Sequence, residues 1–464
     1  MKKNVQALHD KFQLNVVFSL RICFEDSLDL LPDFLQLLRN CGARTARCNL
    51  EHSHCGNSIY EIEILVRSDE HMEEIRTSVE ATEGLELLDV LDTALESHRG
   101  GTCEVRSRTP IRSNTDLRII YTPGVARVCK AIERDPSLAK DFTSRGNKVA
   151  IATNGTAILG LGDIGPLAGL PVMEGKAAIF SEFVGVSAEP LLVDTKDPDE
   201  FVAVVEKLAY GYGAIQIEDV AAPDCFKITR ELDERLDIPV FHDDQYCTAT
   251  VVLAGLYVAV KRKALEMENI RVAISGAGAA GVAIADLLLR AGVGDVVLCD
   301  SFGIIYRGRK ERMNEEKEAL AEWTNTDNIT GSLAEAMKGR ELFVGVSVPG
   351  IVTVDMVKSM AKGPLVFALA NPVSEISRDD ALGAGASIYA DGRMMNNALA
   401  YPGIFRGALN AGVESITKAM MMAAAKALAS LVPESALMPE MMDKATHRAV
   451  SEAVEACAKD ICGD

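Results

Sequence analysis

The sequence predicts an α/β chain with a small α+β unit in front, and three observations predict it. The first hundred residues switch between period-two and helical spacing in the order βαββαβ. Residues 114 to 248 mix strands with helices. From Ala249 onward strands alternate with helices, which implies a parallel sheet, and one strand runs into the glycine-rich turn Gly276-Ala277-Gly278-Ala279-Ala280-Gly281. The parts are set at residues 13–97, 98–248 and 249–464.

In the first part, Val16, Phe18, Leu20, Ile22 and Phe24 alternate as a half-buried strand would. Leu30, Leu31, Phe34, Leu35 and Leu38 recur at helical spacing. Ala43 to Leu50 reads as a second strand, and Tyr60, Ile62, Ile64 and Val66 alternate again. Met72, Ile75 and Val79 mark a second helix, and Leu85 to Leu91 a last strand. That order is the ferredoxin-like unit. Cys41, Cys48, His52, His54 and Cys55 include zinc-ligand types, but their spacing fits no standard zinc pattern. A turn between two strands at Gly56-Asn57 is the reading preferred here.

Ser97 to Thr109 is polar with Gly100-Gly101 and suits a linker. Tyr121-Thr122-Pro123-Gly124 is a Pro-Gly turn. Lys176 enters an apolar run, where it is either buried, with a lowered pKa, or a snorkelling surface side chain. Phe201 to Tyr210 is an amphipathic helix. Glu218-Asp219 and Asp243-Asp244 each end an apolar stretch. Carboxylates at strand ends can hold a hard cation, or they are solvated loop acids. Neighbouring strand residues face opposite ways, so such a pair reaches one ion only if the backbone turns there.

Arg271 to Ser275 is a short buried strand leading into the glycine-rich turn and then a helix, Val282 to Arg290. The first Gly makes the tight turn, the second lets a pyrophosphate approach the backbone, and the third packs helix on strand. A second strand, Asp295 to Cys299, ends at Asp300, where an acid would meet an adenosine ribose. This is a Rossmann-type dinucleotide site in its proper context. Gly412 to Asp464 is an Ala- and Met-rich helical tail.

The 464 residues carry a formal net charge of -19. A surface that acidic repels phosphate backbones and anionic lipid, so neither nucleic acid nor a membrane surface is an expected partner. Thr248 to Val260, the longest apolar run, is too short to span a bilayer. The N-terminus lacks an apolar h-region, and the eleven cysteines are scattered without framework spacing. Both point to a cytoplasmic protein with reduced thiols.

Read in order, these segments resemble a malic enzyme of the short bacterial type. They are Tyr121 to Ala126, Gly155 to Pro166, Pro171 to Ala177, Ile217 to Val220, His242 to Ala249, the glycine turn, Asn371-Pro-Val-Ser-Glu375 and Asn396 to Gly403. The resemblance implies a malic enzyme N-terminal catalytic domain followed by a NAD-binding Rossmann domain. It implies oxidative decarboxylation of malate to pyruvate with NAD, or NADP as the other candidate, and with Mg2+ or Mn2+. Tyr121 matches the general acid, Lys176 the general base, and Asp243 an acid beside the metal that helps the base. Glu218, Asp219 and Asp244 match the metal ligands, and Asn371 and Asn397 match residues that touch substrate and nicotinamide. Gly276, Gly278, Ala279, Ala280, Gly281 and Asp300 bind the cofactor. Larger members carry an Arg where this chain has Ala157, which leaves the anchor of the second malate carboxylate unassigned. The first unit resembles an ACT domain, though the loop entering its first helix reads Glu25-Asp26-Ser27-Leu28-Asp29 where such domains carry a Gly. It is expected to take a small-molecule effector, or else to serve as a dimerising module, and the whole chain is expected to be a homodimer or larger homo-oligomer. A malolactic-type reaction giving lactate and a metabolite sensor on the same scaffold remain as alternatives.

Overall fold

A computed structural model describes residues 16–25, 30–54, 56–371 and 373–462. The chain divides into two compact units, Met1–Glu104 and Val105–Asp464.

In the first unit β1 (Val16–Glu25), α1 (Leu31–Asn40), β2 (Arg44–His54), β3 (Asn57–Val66), α2 (Asp69–Glu80), β4 (Leu85–Asp92) and α3 (Thr93–Ser97) follow one another. The strands form one antiparallel sheet in the order β2-β3-β1-β4. Alternation does what it predicts. Phe18, Leu20, Ile22 and Phe24 of β1 and Ile62, Ile64 and Val66 of β3 point into a core completed by Phe34, Leu38, Met72, Ile75 and Val79. The Phe24 ring meets Phe34 and Tyr60 edge-on at 5.6 and 5.3 Å, a favoured aromatic geometry. On the opposite face Arg21–Glu51 and Arg47–Glu63 pair in water, where such pairs add little. Cys48 and His52 lie on the exposed edge strand β2, and Gly56, at φ +84°, makes the turn into β3. Residues 26–29 and Cys55, which belong to the loop and the cysteine cluster weighed above, lie outside the described residues.

The second unit begins with α4 (Asn114–Ile120), α5 (Val125–Arg134) and α6 (Ala139–Phe142). Residues 105–147 contain no buried side chain. Then come β5 (Lys148–Thr153), α7 (Pro166–Val184), β6 (Ser187–Leu192), α8 (Pro198–Leu208), β7 (Ala214–Ile217), α9 (Asp224–Arg235), β8 (Val240–His242) and α10 (Asp243–Lys263). These strands form a parallel sheet, β6-β5-β7-β8. The chain leaves β5 for β6 and returns on the other side as β7, so a switch point opens between β5 and β7, where ligands bind outside the strand C-termini.

A larger sheet follows: β9 (Arg271–Ser275), α11 (Ala279–Arg290), β10 (Asp295–Asp300), β11 (Gly303–Ile304), α12 (Glu315–Trp323), α13 (Leu333–Met337), β12 (Leu342–Gly345), α14 (Val354–Ser359), β13 (Leu365–Ala368), α15 (Arg378–Gly383) and β14 (Ile388–Asp391). Its order is β11-β10-β9-β12-β13-β14, parallel except for β11. The switch point lies between β9 and β12. Three helices end the chain: α16 (Tyr401–Ala411), α17 (Lys418–Ser430) and α18 (Lys444–Cys462).

The boundary set at 248/249 lies within a helix. It falls inside α10, whose run from Thr248 to Val260 is mostly buried. The run is apolar because one continuous core, from Val149 in β5 to Ala458 in α18, passes around this helix and serves both sheets. Within that core Phe405 of α16 sets its ring edge-on against Phe180 and Phe241. Phe405→Ala should therefore destabilise this unit by about 3–5 kcal/mol, read from the urea midpoint. A loss under about 1 kcal/mol would mean that the ring is not a core member.

Candidate active site

The C-terminal ends of β7 and β8 and one face of α7 meet at a buried knot of charge. Lys176 sits on α7, which Pro166 starts at the first helical position and Gly185, at φ +62°, ends. Its Nζ donates to Asp243 Oδ2 at 2.6 Å and pairs with Glu218 Oε1 at 2.8 Å. It also stands 5.0 Å from the centre of the Tyr401 ring, a cation–π contact. Glu218 is the first residue beyond β7, and its amide bonds to the Ala152 carbonyl at 2.9 Å. The Gln216 amide group donates to its Oε2 at 2.7 Å. Asp219 then takes a left-handed conformation, φ +50°, which short polar side chains tolerate. This is the backbone turn that a cation-binding Glu-Asp pair needs. The Asp219 amide donates to Asp244 Oδ2 at 3.1 Å.

Asp243 and Asp244 open α10, where the helix dipole favours carboxylates. His242 caps that helix: its Nδ1 accepts from the Gln245 amide at 3.2 Å, so Nε2 carries the proton and faces Asp244 Oδ2 at 4.0 Å. Asn397 comes in from a 3-10 turn and donates to Asp243 Oδ2 at 2.9 Å, while its own oxygen accepts from Thr248.

Four carboxylates thus face one ammonium. Burial alone would lower the pKa of Lys176, but the charges of Asp243 and Glu218 outweigh it and hold the pKa well above the usual value. This corrects the expectation that burial moves Lys176 towards neutrality. Burial raises Asp243 less than the Lys176 charge and the hydrogen bonds from Lys176 and Asn397 lower it. Glu218 is driven up by burial, with Lys176 opposing. Asp219 is pushed up to about 7 by burial, then by Asp244. Glu218, Asp243 and Asp244 bring oxygen atoms within 4.8 Å of one another, the one such group of potential metal ligands among the described residues. Asp219 is outside this trio, and Asp243 is inside it. Among the described residues the buried oxygens Asp219 Oδ2 and Asp243 Oδ1 have no hydrogen-bond partner. Surplus negative charge, unpaired buried oxygens and an all-oxygen donor set fit a hard divalent cation such as Mg2+ or Mn2+.

The glycine turn behaves as read. Gly276 adopts φ +111°, and a Cβ there would lie 2.5 Å from the Val346 carbonyl. One on Gly281 would lie 1.8 Å from the Gly276 carbonyl. Gly278 faces open space at the start of α11, with Ala279 and Ala280 in its first turn, which leaves the approach to the helix N-terminus free for a pyrophosphate. Asp300 ends β10, but its carboxylate is not free. Arg309 donates to both oxygens at 2.7 and 2.9 Å, and Lys317 to one at 2.8 Å. These two cations overcome the effect of burial and hold Asp300 below its usual pKa.

Two predicted residues stand apart from the knot. Tyr121 is 65% exposed, and among the described residues its side chain has no hydrogen-bond partner. Asn371 is exposed beyond β13, its amide packed by Gly392. Ala157 only ties its amide to the Asp219 carbonyl, at 3.0 Å. The sequence reading missed Tyr401 and Gln216, although Tyr401 lies in the same quoted segment as Asn397.

A Rossmann-type sheet joined through one core to a second parallel sheet with a buried lysine–carboxylate site defines a class, the nicotinamide-dinucleotide oxidoreductases. Comparison narrows it. Residues 100–233 match the malic enzyme N-terminal domain and residues 246–459 the malic enzyme NAD binding domain. The chain is 41% identical over 425 residues to an NAD-dependent malic enzyme of Geobacillus stearothermophilus, covering 90% of this chain and 88% of that one. It is 46% identical over 385 residues to a bifunctional malic/malolactic enzyme of Bacillus subtilis, covering 80% and 94%. Among solved structures, malic enzyme from Pyrococcus horikoshii superposes with a TM-score of 0.77 at 41% identity, covering 80% of this chain and 90% of that one. The chain belongs to the malic enzyme family.

If Lys176 handles the proton, Lys176→Ala should lower turnover by about 10²–10⁴ while NADH binding, followed by fluorescence, stays within twofold. Turnover within a few-fold of wild type would remove Lys176 from that role.

Proposed function

We propose that this protein oxidatively decarboxylates malate to pyruvate and carbon dioxide, reducing a nicotinamide dinucleotide. The observation that carries the reading is the contact of Lys176 with Asp243 and Glu218, at the strand ends where a small dianion would meet both a cation and the dinucleotide. Malate gives hydride from C2 to the nicotinamide as its hydroxyl gives a proton to Lys176 Nζ. Lys176 first has to release to solvent the proton it shares with Asp243 and Glu218, which the charge of a bound cation would favour. When bound at Glu218, Asp244 and either Asp219 or Asp243, a divalent cation supplies positive charge that offsets those carboxylates and favours negative charge on substrate oxygen. Asp243 and Asn397 hold the Lys176 ammonium in line. After carbon dioxide leaves, the methylene carbon takes up a proton to give pyruvate. The family resemblance gives this step to Tyr121, which stands apart from Lys176 in one copy, would have to be carried to the site by pairing of two copies, and would be reprotonated by the proton taken up at Lys176.

A homodimer suits the exposed stretch 105–147. It leaves Val105, Ile119, Tyr121 and Phe142 in water, and pairing of two copies there would cover them and the Tyr121 ring together. The strand order β2-β3-β1-β4 supports reading the first unit as ferredoxin-like and ACT-like, with a small-molecule effector as its ligand. Among the described residues no helix is long and apolar enough to cross a membrane, and the buried thiols of Cys225, Cys247 and Cys299 are free. Both support a cytoplasmic location.

NAD is the proposed cofactor. The partners of Asp300 temper that preference, since Arg309 and Lys317 offset much of the repulsion that a 2′-phosphate would meet. Removing the carboxylate should free both cations for it. Asp300→Ser is therefore expected to shift the ratio of kcat/KM for NADP over NAD at least tenfold towards NADP. An unchanged ratio would place cofactor choice elsewhere.

The direct assay is malate with Mg2+ or Mn2+ and either dinucleotide, with pyruvate and lactate both measured. Pyruvate with reduced dinucleotide is expected, and activity should vanish on thorough chelation with EDTA. Lactate without net reduction would favour the malolactic reading, and undiminished activity after chelation would end the cation assignment.

A further inference from the structure

One buried carboxylate takes no part in the chemistry above. Glu375 is fully buried, and among the described residues it has no cationic partner within ion-pair distance. Its Oε1 accepts the Ser347 amide at 2.9 Å and its Oε2 the Ala370 amide at 3.1 Å. These amides lie just past the last ladder pair of two adjacent parallel strands, Gly345 of β12 and Ala368 of β13. Beyond that pair the strands part, and without Glu375 the Ala370 N–H would be left buried and unbonded, a costly state, and the part-buried Ser347 N–H would lose its partner. A charged carboxylate is itself costly to bury, and burial does raise its pKa, with those amides opposing.

The loops it joins lie against the strand that enters the glycine turn. Val346 bonds through its amide to Ser275 at 2.9 Å, and Ser347 Oγ meets Ser275 Oγ at 2.8 Å, immediately before the glycine turn. The Val346 carbonyl is what a side chain at Gly276 would strike. Ala370 precedes Asn371. The neighbouring Gly345 has no room for a Cβ, which would lie 2.3 Å from the Glu375 carboxyl carbon. Carboxylate, glycine and two amides therefore fit as a unit past the ends of β12 and β13, beside the β9/β12 switch point.

We propose that Glu375 is a positioning residue for the dinucleotide: its carboxylate pins the loops after β12 and β13 so that the floor of the cofactor crevice is set before the ligand arrives. This rests on residues 271–391 binding a dinucleotide. Both of its partners are donors, so a carboxylate satisfies them and a side-chain amide cannot. Gln would turn an NH2 towards one N–H while keeping shape and volume.

The test is Glu375→Gln, with NADH binding followed by fluorescence and with KM for dinucleotide and for malate measured separately. If wild type fails to bind NADH, the dinucleotide reading itself falls. If it binds, Glu375→Gln should weaken NADH binding and raise the dinucleotide KM by about tenfold or more, with malate KM and kcat changed less than threefold. Gly345→Ala, which keeps the charge but displaces the carboxylate, should act in the same direction, and the double variant should be less than additive. NADH affinity within twofold of wild type in folded Glu375→Gln would overturn the proposal. So would equal rises in both KM values alongside a large fall in Tm, the mark of general loosening.

Discussion

The buried ion pair between Lys176 and Asp243 is the interaction on which the rest of the site depends. Bringing four carboxylates together, three of them buried, is unfavourable, and one lysine does not balance them. The fold spreads the cost over local devices. The N-terminus of α10 stabilises Asp243 and Asp244, Gln216 and Asn397 donate to Glu218 and Asp243, and the left-handed turn at Asp219 sets its amide against Asp244. The remaining imbalance suits a site that awaits a dication, because an apolar or neutral replacement would be easier to fold.

Such a site needs a rigid support, and the aromatic packing beneath it supplies one. Phe180 of α7 contacts Tyr401 and Phe405 edge-on, and Phe241 of β8 contacts Phe405. The helix that carries Lys176, the strand that precedes Asp243 and the helix that begins at Tyr401 are thus locked through rings whose geometry tolerates little shift. The same core runs on under the dinucleotide sheet by way of α10.

Much of this was legible in the sequence where pattern has a local cause. Alternation in Val16 to Phe24 gave the strand and its buried face, and the glycine spacing matched the tight turn at Gly276 and the close packing at Gly281. The strand-end acids were visible as acids, and the required backbone turn could be stated in advance. What the sequence hid was tertiary. Whether Lys176 is raised or lowered depends on which charges meet it, and two come from 42 and 67 residues away. The run Thr248 to Val260 looked like the start of a domain because only packing shows that α10 serves both sheets. Arg309 lies near Asp300 in the sequence, but only the fold shows that it and Lys317 close on the carboxylate. Tyr121 sits on an uncovered stretch, and no single-chain pattern says what covers it.

The sequence distances inside the site also bear on how the protein is made. The Lys176–Asp243 bond spans 67 residues and the Asn397–Asp243 bond 154. No contiguous stretch that could emerge and fold early holds the whole cluster, so closure of these long loops comes late. A ligand that recognises only the closed cluster binds the finished molecule and not its precursors, and at 100 times its Kd it would add about 2.7 kcal/mol to the native state. Were that ligand the proposed dication, its supply during synthesis would act on the yield of mature protein as well as on turnover.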